Sequence, residues 1–240
     1  MTLDEILASL FPDGHDVVER DGVLTGRGTL RDTAIEVIGV ARRAAVGIDE
    51  AIRLSAHVLA TIRRGGSVPI LVLVDSDSQR MSKRDELLGL NEFLSHLAKC
   101  LMHADALGHP TVGLLYGHTA AGAFLATALA TRTLIALPGA NPEVMDLASM
   151  SRVTKISVET LREKAASTPV FAPGLDNLAQ TGAVHATFDP TRSLAAQLES
   201  LLGGLTDRTD RRDWLGHERH GRPAAAPIAQ RVYELACASC

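Results

Sequence analysis

The spacing of hydrophobic residues divides the chain into strand-like and helix-like segments. The run VPILVLVD (residues 68–75) is continuously apolar, which is typical of a strand buried on both faces. Residues 110–116 repeat that pattern, and residues 22–30 and 34–43 suit a strand pair joined by a short polar turn. Residues 49–66 have helical spacing, acids at the start and two arginines before a glycine at the end, which predicts a helix.

The rest of the chain continues both patterns. We expect a polar loop over residues 76–84 and further elements as follows: helices over 85–107, 121–130, 157–168 and 193–205, short strands over 133–138 and 142–147, and a helix, turn and strand over 177–189. The order ββαβαβαββα predicts an α/β fold with a largely parallel, buried sheet.

The chain becomes strongly charged near its end. Residues 206–223 carry many arginines and acids and are expected to form an exposed loop, followed by a last helix over 226–238. We therefore divide the chain into a main domain, residues 1–205, and a charged loop plus C-terminal helix, residues 206–240.

Composition narrows the classes of function. The 240 residues are 46% hydrophobic and only 3% aromatic, with a formal net charge of −4, so a nucleic-acid partner is not expected. No apolar run reaches membrane-spanning length, and the start is acidic, unlike a secretory signal. With three cysteines, an odd number, the chain is expected in a reducing cytoplasm and away from membranes.

The strand at 110–116 runs into GHTAAG, a turn of small residues before a predicted helix. The lysine that follows the second glycine of a P-loop is absent, since Ala123 follows Gly122. Thr119 stands where a nucleophile elbow would need serine, and no dinucleotide-binding glycine pair is present. What the turn offers is backbone N–H groups, which can hold an oxyanion such as a thioester enolate. The alternative is that small residues only allow close packing of helix on sheet.

A second polar turn strengthens the oxyanion interpretation. The strand at 68–75 also ends in a polar segment, DSDSQRMSKRDELLG, that opens a helix. Consecutive parallel strands end at the same edge of a sheet, where open α/β sheets bind ligands.

Four motifs in this order carry a family resemblance: RDELLG, YGHTAAGAFLA, VMDLASMSR and PVFAPG. Together they resemble the γ subunit of biotin-independent malonate decarboxylase, a carboxyltransferase-like member of the crotonase superfamily. The similarity extends from residue 10 to about residue 193. Where that family usually has Ser-Gly-Gly before a phenylalanine, this chain has Ala121-Gly122-Ala123, which removes a hydroxyl but keeps backbone donors.

The resemblance implies a crotonase-like ββα spiral and a shared reaction. With a β subunit of related fold, the γ subunit decarboxylates malonyl thioester on an acyl carrier protein. An α subunit exchanges malonate for acetate on that carrier. The thioester is presented on a phosphopantetheine-type group of the carrier, so no covalent cofactor on this chain and no biotin are expected.

The candidate site residues fall on the two turns. We expect the backbone amides of four residues to be oxyanion donors: Ser78, Gln79, Ala121 and Gly122. His118 is the candidate for proton delivery. Three basic side chains are expected to attract the malonyl carboxylate or the acidic carrier: Arg80, Lys83 and Arg84. The alternatives are ordinary surface charges for the basic residues and a locally hydrogen-bonded turn histidine.

A metal site has only weak support. Cys237 and Cys240 form a Cys-x-x-Cys pair, with His217 and His220 upstream, and a zinc site is conceivable. Because the order is unusual and a single pair is weak evidence, no metal is predicted. Cys100 falls on an apolar helix and is expected in the core.

Two other functions stay open. The chain could be a non-catalytic assembly subunit of the same complex. It could also be a stand-alone crotonase-type acyl-CoA hydratase or isomerase, which would need a glutamate base near one of the turns. Asp77 is the only acid near the first turn, and the second turn has none in its sequence.

Overall fold

A seven-stranded mixed sheet organises the molecule. The computed structural model describes residues 1–168, 173–205 and 209–238, with the strand order β1-β2-β3-β4-β5-β7-β9 in the main sheet. Strands β1 to β3 pair antiparallel, and every pairing from β3 to β9 is parallel. Strands β6 and β8 form a separate two-stranded parallel sheet.

The described strands are β1 (Val18–Arg20), β2 (Val23–Leu30), β3 (Thr33–Val46), β4 (Ile70–Gln79), β5 (Thr111–Leu115), β6 (His118–Ala120), β7 (Thr133–Ala136), β8 (Asn141–Glu143) and β9 (Ala186–Thr187). The described helices are α1 (Leu3–Leu10), α2 (Ile48–Arg64), α3 (Lys83–Leu88), α4 (Leu90–Ala106), α5 (Ala121–Ala126), α6 (Leu147–Thr154), α7 (Val158–Ser167), α8 (Leu175–Gln180), α9 (Leu194–Gly204), α10 (Arg212–Glu218) and α11 (Ala225–Ala238).

The central strand β4 faces two apolar layers. Its even-numbered residues, including Val72 and Val74, join a core with α2, α4 and α5. Its odd-numbered residues Leu71 and Leu73 join a second core with α1 and α9. A strand covered on both faces can be continuously apolar, which explains why residues 70–74 carry no polar side chain.

The predicted α/β architecture is confirmed, with some local differences. The predicted loop over 76–84 is partly strand, because β4 continues to Gln79 beside β3. The predicted helix over 85–107 is two helices, separated at Gly89, whose φ of +86° suits glycine and breaks the helical path. The helix expected over 121–130 ends at Ala126, followed by a 3-10 turn.

The charged segment 206–223 is not only a loop. It contains α10, and the Arg219 guanidinium donates to the carbonyls of Ala179 and Val184 at 2.7 and 2.6 Å. These bonds tie the segment to the main body through backbone groups, which charge patterning along the sequence does not reveal.

The last helix, α11, is exposed over most of its length. Its exposed apolar side chains recur at helical spacing: Ile228, Val232 and Leu235. Among the described residues no helix combines the length and apolar character needed to cross a bilayer.

A buried carboxylate lies in the middle of the sheet. Glu36 on β3 is almost fully buried. It pairs with two arginines, Arg27 and Arg64 (2.5 Å), and lies within hydrogen-bond distance of His57 Nε2, at 2.8 Å. Burial raises the pKa of Glu36, but hydrogen bonds from Arg27 and His57 and the charge of Arg64 together lower it by more, so its net pKa lies below the ordinary value.

We expect Glu36→Gln to lower the free energy of unfolding by about 2 kcal/mol at neutral pH. Loss of a buried ion-pair partner costs roughly 3–5 kcal/mol, and the partial exposure of both arginines reduces this. Because the folded pKa is depressed, the carboxylate's contribution is complete above the unfolded pKa of about 4.3 and is lost as pH falls through the folded pKa. Urea unfolding followed by circular dichroism measures both effects.

The matched control is Glu199→Gln, which removes the surface pair with Arg31. Its effect should stay below about 0.5 kcal/mol. Equal destabilisation by the two substitutions would contradict the assignment.

Candidate functional site

The carboxyl ends of β4 and β5 lie side by side. The two strands pair in parallel from Ile70↔Thr111 to Val74↔Leu115. The two predicted turns therefore meet at one edge of the sheet, as expected. Beyond Val74, β4 continues for five residues past the end of β5, and β6 packs against this extension.

Two hydrogen bonds tie the extension of β4 to the small-residue turn. The Asp75 carboxylate accepts from the His118 N–H at 3.0 Å, and Ser76 and Thr119 share a buried hydroxyl bond of 2.8 Å. A side chain at Gly117 would collide with the Asp75 carboxylate, so glycine is required there. The Thr119 hydroxyl is thus buried and structural.

A third bond of this kind reaches the predicted oxyanion donor. The Gly122 N–H donates to the Gln79 side-chain oxygen at 2.9 Å. The other end of that side chain, Nε2, lies 3.8 Å from the Met81 sulfur. The protein itself thus supplies the oxygen that Gly122 binds in this conformation.

Ser78 and Gln79 do not lie in a loop as predicted. Both belong to β4, and Gln79 is in register with Val46 of β3. The side chain of Gln79, rather than its amide, makes the contact with the second turn. The sequence prediction placed them in a loop because residues 75–79 alternate between acid and small polar types.

The backbone turns sharply at Ala121. Its φ is +48°, in the left-handed region, whereas Ala120 before it is extended at −141°. Gly122 is not among the positive-φ glycines, so the unusual backbone angle lies at the alanine. That conformation costs an L-residue with a side chain about 1–2 kcal/mol, which indicates that the turn's geometry is fixed by its surroundings.

The two predicted substrate-binding arginines each pair with an acid of the same chain. Arg80 contacts Glu50 at 2.5 Å, and Arg84 contacts Asp49 at 2.8 Å. The hydrogen bond from Arg84 lowers the pKa of Asp49. Neither arginine is presented as a free cation. Lys83 is exposed and, among the described residues, makes no ion pair.

A buried acid lies beneath these arginines. Asp85 is fully buried, 3.0 Å from Arg84 and 3.9 Å from Arg80, and its Oδ2 accepts no hydrogen bond from the described residues. The Asp85 carboxylate lies against Gly47, so it holds the start of α3 close to the start of α2. A side chain at position 47 would collide with Asp85 Oδ2. Its role is to fix the segment that follows β4.

His118 has two polar neighbours from β8. Its Nδ1 lies 3.3 Å from the Asn141 side-chain nitrogen, and its Nε2 lies 3.9 Å from the Glu143 carboxylate. The pairing of β6 with β8 sets this geometry, with His118 opposite Asn141 and Ala120 opposite Glu143. A glutamate therefore does lie at the second turn, contrary to what its sequence suggested.

The sequence analysis missed Asn141, Glu143 and Asp75 as neighbours of the turn. The signal that could have found Glu143 is the short predicted strand over 142–147, but its pairing partner β6 was not predicted. Tyr116, just before the turn, donates to the Val40 carbonyl at 3.3 Å, and burial together with Asp75 raises its pKa. It is a packing residue that stays protonated.

Among the described residues, the cysteines are not part of a metal site. Cys100 is buried in α4, as expected, and burial raises the pKa of its thiol. Cys237 is exposed, and Cys240 lies outside the described residues. Over the described ranges no group of three or more potential metal ligands occurs.

One family model covers most of the chain. The family model described as malonate decarboxylase gamma subunit (MdcE) matches residues 41–236. A malonyl-S-ACP:biotin-protein carboxyltransferase of Malonomonas rubra is 32% identical over 149 residues, covering 58% of this chain and 51% of the relative. The chain thus spans about half the length of this curated relative.

Solved structures give the fold. A chain of a Pseudomonas malonate decarboxylase hetero-tetramer in complex with coenzyme A has a TM-score of 0.79 at 25% identity, covering 96% of this chain and 98% of that chain. A Pseudomonas MdcD-MdcE hetero-dimer gives 0.72 at 25% identity, covering 90% and 91%. Transcarboxylase 12S gives 0.67 at 16% identity, covering 86% and 41%, and shows the fold alone. The predicted crotonase-like carboxyltransferase fold is confirmed.

We expect Ala121→Gly to raise the free energy of unfolding by about 0.5–1 kcal/mol. Glycine removes the left-handed penalty, and this gain exceeds its extra chain entropy. The matched control is Ala120→Gly, where the backbone is extended and the entropy cost acts alone, so stability should fall by a similar amount. Thermal and urea unfolding measure both; a change in the same direction would contradict the interpretation.

Proposed function

This chain belongs to the malonate decarboxylase gamma subunit family, and we propose that, with a β subunit of related fold, it decarboxylates malonyl thioester on an acyl carrier protein. The products are acetyl thioester and carbon dioxide. The observation that carries the proposal is the family match over residues 41–236, together with the near full-length likeness to a chain of the Pseudomonas complex. An α subunit that exchanges malonate for acetate on the carrier completes the proposed cycle.

The reaction requires stabilisation of one oxygen. When the bond to the carboxylate breaks, its electron pair moves into the thioester and leaves an enolate. Backbone N–H groups at the α5 turn suit this charge, because they are fixed before the reaction. We assign this role to Gly122 and Ala121, and one such donor is typically worth about 3 kcal/mol of the barrier.

Ser78 and Gln79 are not assigned as oxyanion donors in this proposal. Their position in β4 does not suit a second set of amide donors on a helix turn. The Gln79 side chain instead occupies the Gly122 N–H at 2.9 Å, where a thioester oxygen would bind. Substrate binding therefore includes displacement of the Gln79 oxygen.

The remaining predicted residues have supporting parts. Arg80 and Arg84 shape the segment after β4 through Glu50 and Asp49. Lys83 stays a candidate for attracting the acidic carrier. The enolate carbon must finally take a proton, for which His118 is the donor predicted from the sequence.

Exposed apolar side chains surround this edge of the molecule. Met81, Leu87 and Leu88 project from the segment after β4, and Val144 and Met145 follow β8. Such residues at the rim of a site favour a partner surface over solvent. They support a site shared with the β subunit.

The Malonomonas relative favours a second candidate function. Its name describes transfer of the carboxyl group from malonyl-S-ACP to a biotin protein. Both reactions begin by breaking the same carbon–carbon bond, and they differ in whether carbon dioxide is released or captured. The family match favours the biotin-independent reaction for this chain.

The test is reconstitution with the neighbouring subunits. We expect the complex to release labelled carbon dioxide from malonyl thioester on the carrier protein, and to do so in the presence of avidin. The chain alone should be inactive. Robust decarboxylation by the isolated chain would contradict a shared site, and inhibition by avidin would favour the biotin-dependent reaction.

Two further measurements test the assembly-subunit and hydratase functions. Full activity of the partner subunits without this chain would make it an assembly subunit. Hydration of an enoyl-CoA by the chain alone would favour a stand-alone hydratase.

We expect Gln79→Met to lower the KM of the complex for malonyl thioester by about 2- to 10-fold. Methionine keeps the length but not the acceptor, so the thioester oxygen no longer competes for the Gly122 N–H, a bond worth about 0.5–1.5 kcal/mol. Steady-state kinetics measures this. Gln180→Met, on the exposed end of α8, is the control and should leave KM unchanged. A higher KM would show that Gln79 binds substrate.

A further inference from the structure

Strand β8 delivers an acid to the α5 turn. Glu143 is in register with Ala120, the residue immediately before the turn. Its carboxylate is mostly buried, at 19% exposure, and lies 3.9 Å from His118 Nε2. In the described part of the chain, no other group pairs with it.

Asn141 determines which way the histidine faces. With the Asn141 amide nitrogen 3.3 Å from Nδ1, that ring nitrogen is the acceptor. The other ring nitrogen, Nε2, faces Glu143. Residues of β8 thus lie next to both ring nitrogens, and the side of the Glu143 carboxylate that faces away from the histidine is unpaired among the described residues.

The free side of Glu143 opens on a cavity of about 380 Å³. Most of its other lining side chains are apolar: Leu129, Val144, Met145, Met150, Pro173 and Leu178. Arg212 and Arg222 also line this cavity. On the β4 side, the Asp75 carboxylate accepts a hydrogen bond from the backbone N–H of His118. None of residues 118–122 lines this cavity, so Glu143, in register with Ala120, is the residue that joins the cavity to the turn. A carboxyl group in that position suits proton exchange with an acyl chain bound between the two.

We propose that Glu143 is the catalytic acid that delivers a proton to the α carbon of the enolate, with His118 as its positioning residue. The inference deepens the proposed function and rests on it. The carboxylic acid O–H breaks and the new C–H bond of the acetyl group forms. Glu143 is left as a carboxylate and regains its proton from water.

Proton delivery by Glu143 predicts a second reaction, exchange of the product's methyl protons with solvent, that decarboxylation alone does not require. By reversibility, the Glu143 carboxylate can remove a proton from acetyl thioester, exchange it with solvent, and deliver a different proton to the enolate carbon. In deuterium oxide the complex should therefore exchange the methyl protons of the product. This reaction needs no carbon–carbon bond cleavage.

The experiment measures both reactions with the reconstituted complex. Methyl deuteration of acetyl thioester on the carrier is followed by mass spectrometry, and carbon dioxide release from malonyl thioester is followed in parallel. We expect Glu143→Gln to slow exchange by about 100-fold, in the range for general acid–base groups, with little change in KM. Glu143→Asp should retain more exchange than Glu143→Gln, because it keeps a protonatable group.

His118→Gln should reduce exchange less than Glu143→Gln. The control is Glu159→Gln on the exposed face of α7, which should change neither reaction. Co-purification of each variant with the β subunit confirms assembly.

Three outcomes would overturn the inference while leaving the proposed function intact. They are a wild-type complex that decarboxylates without methyl exchange, exchange by the Glu143→Gln complex within twofold of wild type, and equal losses for Gln and Asp. A wild-type complex that assembles but releases no carbon dioxide would instead overturn the proposed function.

Discussion

The site depends on the extension of β4 beyond its neighbour. Side chains from residues 75, 76 and 79 bond to residues 118, 119 and 122, so one strand fixes the whole small-residue turn. The polar groups in these contacts are partly or fully buried, and each has a hydrogen-bond partner. A loop of small residues could not hold a left-handed alanine without such support, because the backbone would relax to a lower-energy conformation.

Charged side chains at this edge of the sheet pair with one another and so stabilise the local structure. Arg80 and Arg84 are matched by Asp49, Glu50 and Asp85, which come from two different helices. This pairing holds the start of α3, so neither arginine brings an unpaired positive charge to the turn, and the Gly122 N–H is bonded to an uncharged amide oxygen. A site of that kind is poor at discriminating neutral ligands and well suited to an oxygen that gains charge during the reaction.

Much of this could be predicted from the sequence, and the failures have clear causes. The apolar run at 68–75 predicted a buried parallel strand, and the two strand ends meet as expected because parallel topology requires it. The continuation of β4 was missed because its polar residues resemble a loop. Glu143 was missed because its neighbour His118 is 25 positions away and meets it only through a three-residue ladder. Short strands of this type are specified by tertiary contacts, not by local periodicity.

The Gln79 contact determines how much free energy a ligand oxygen gains by binding to the Gly122 N–H. An uncharged amide oxygen is already in place, so an incoming neutral carbonyl exchanges one acceptor for a similar one and gains little. An oxygen that carries negative charge is a stronger acceptor and gains the difference. In the proposed reaction the side chain would weaken binding of the resting thioester while leaving most of the stabilisation of the enolate. A resident internal ligand can thus turn an ordinary hydrogen-bond donor into one that is selective for the reacting state.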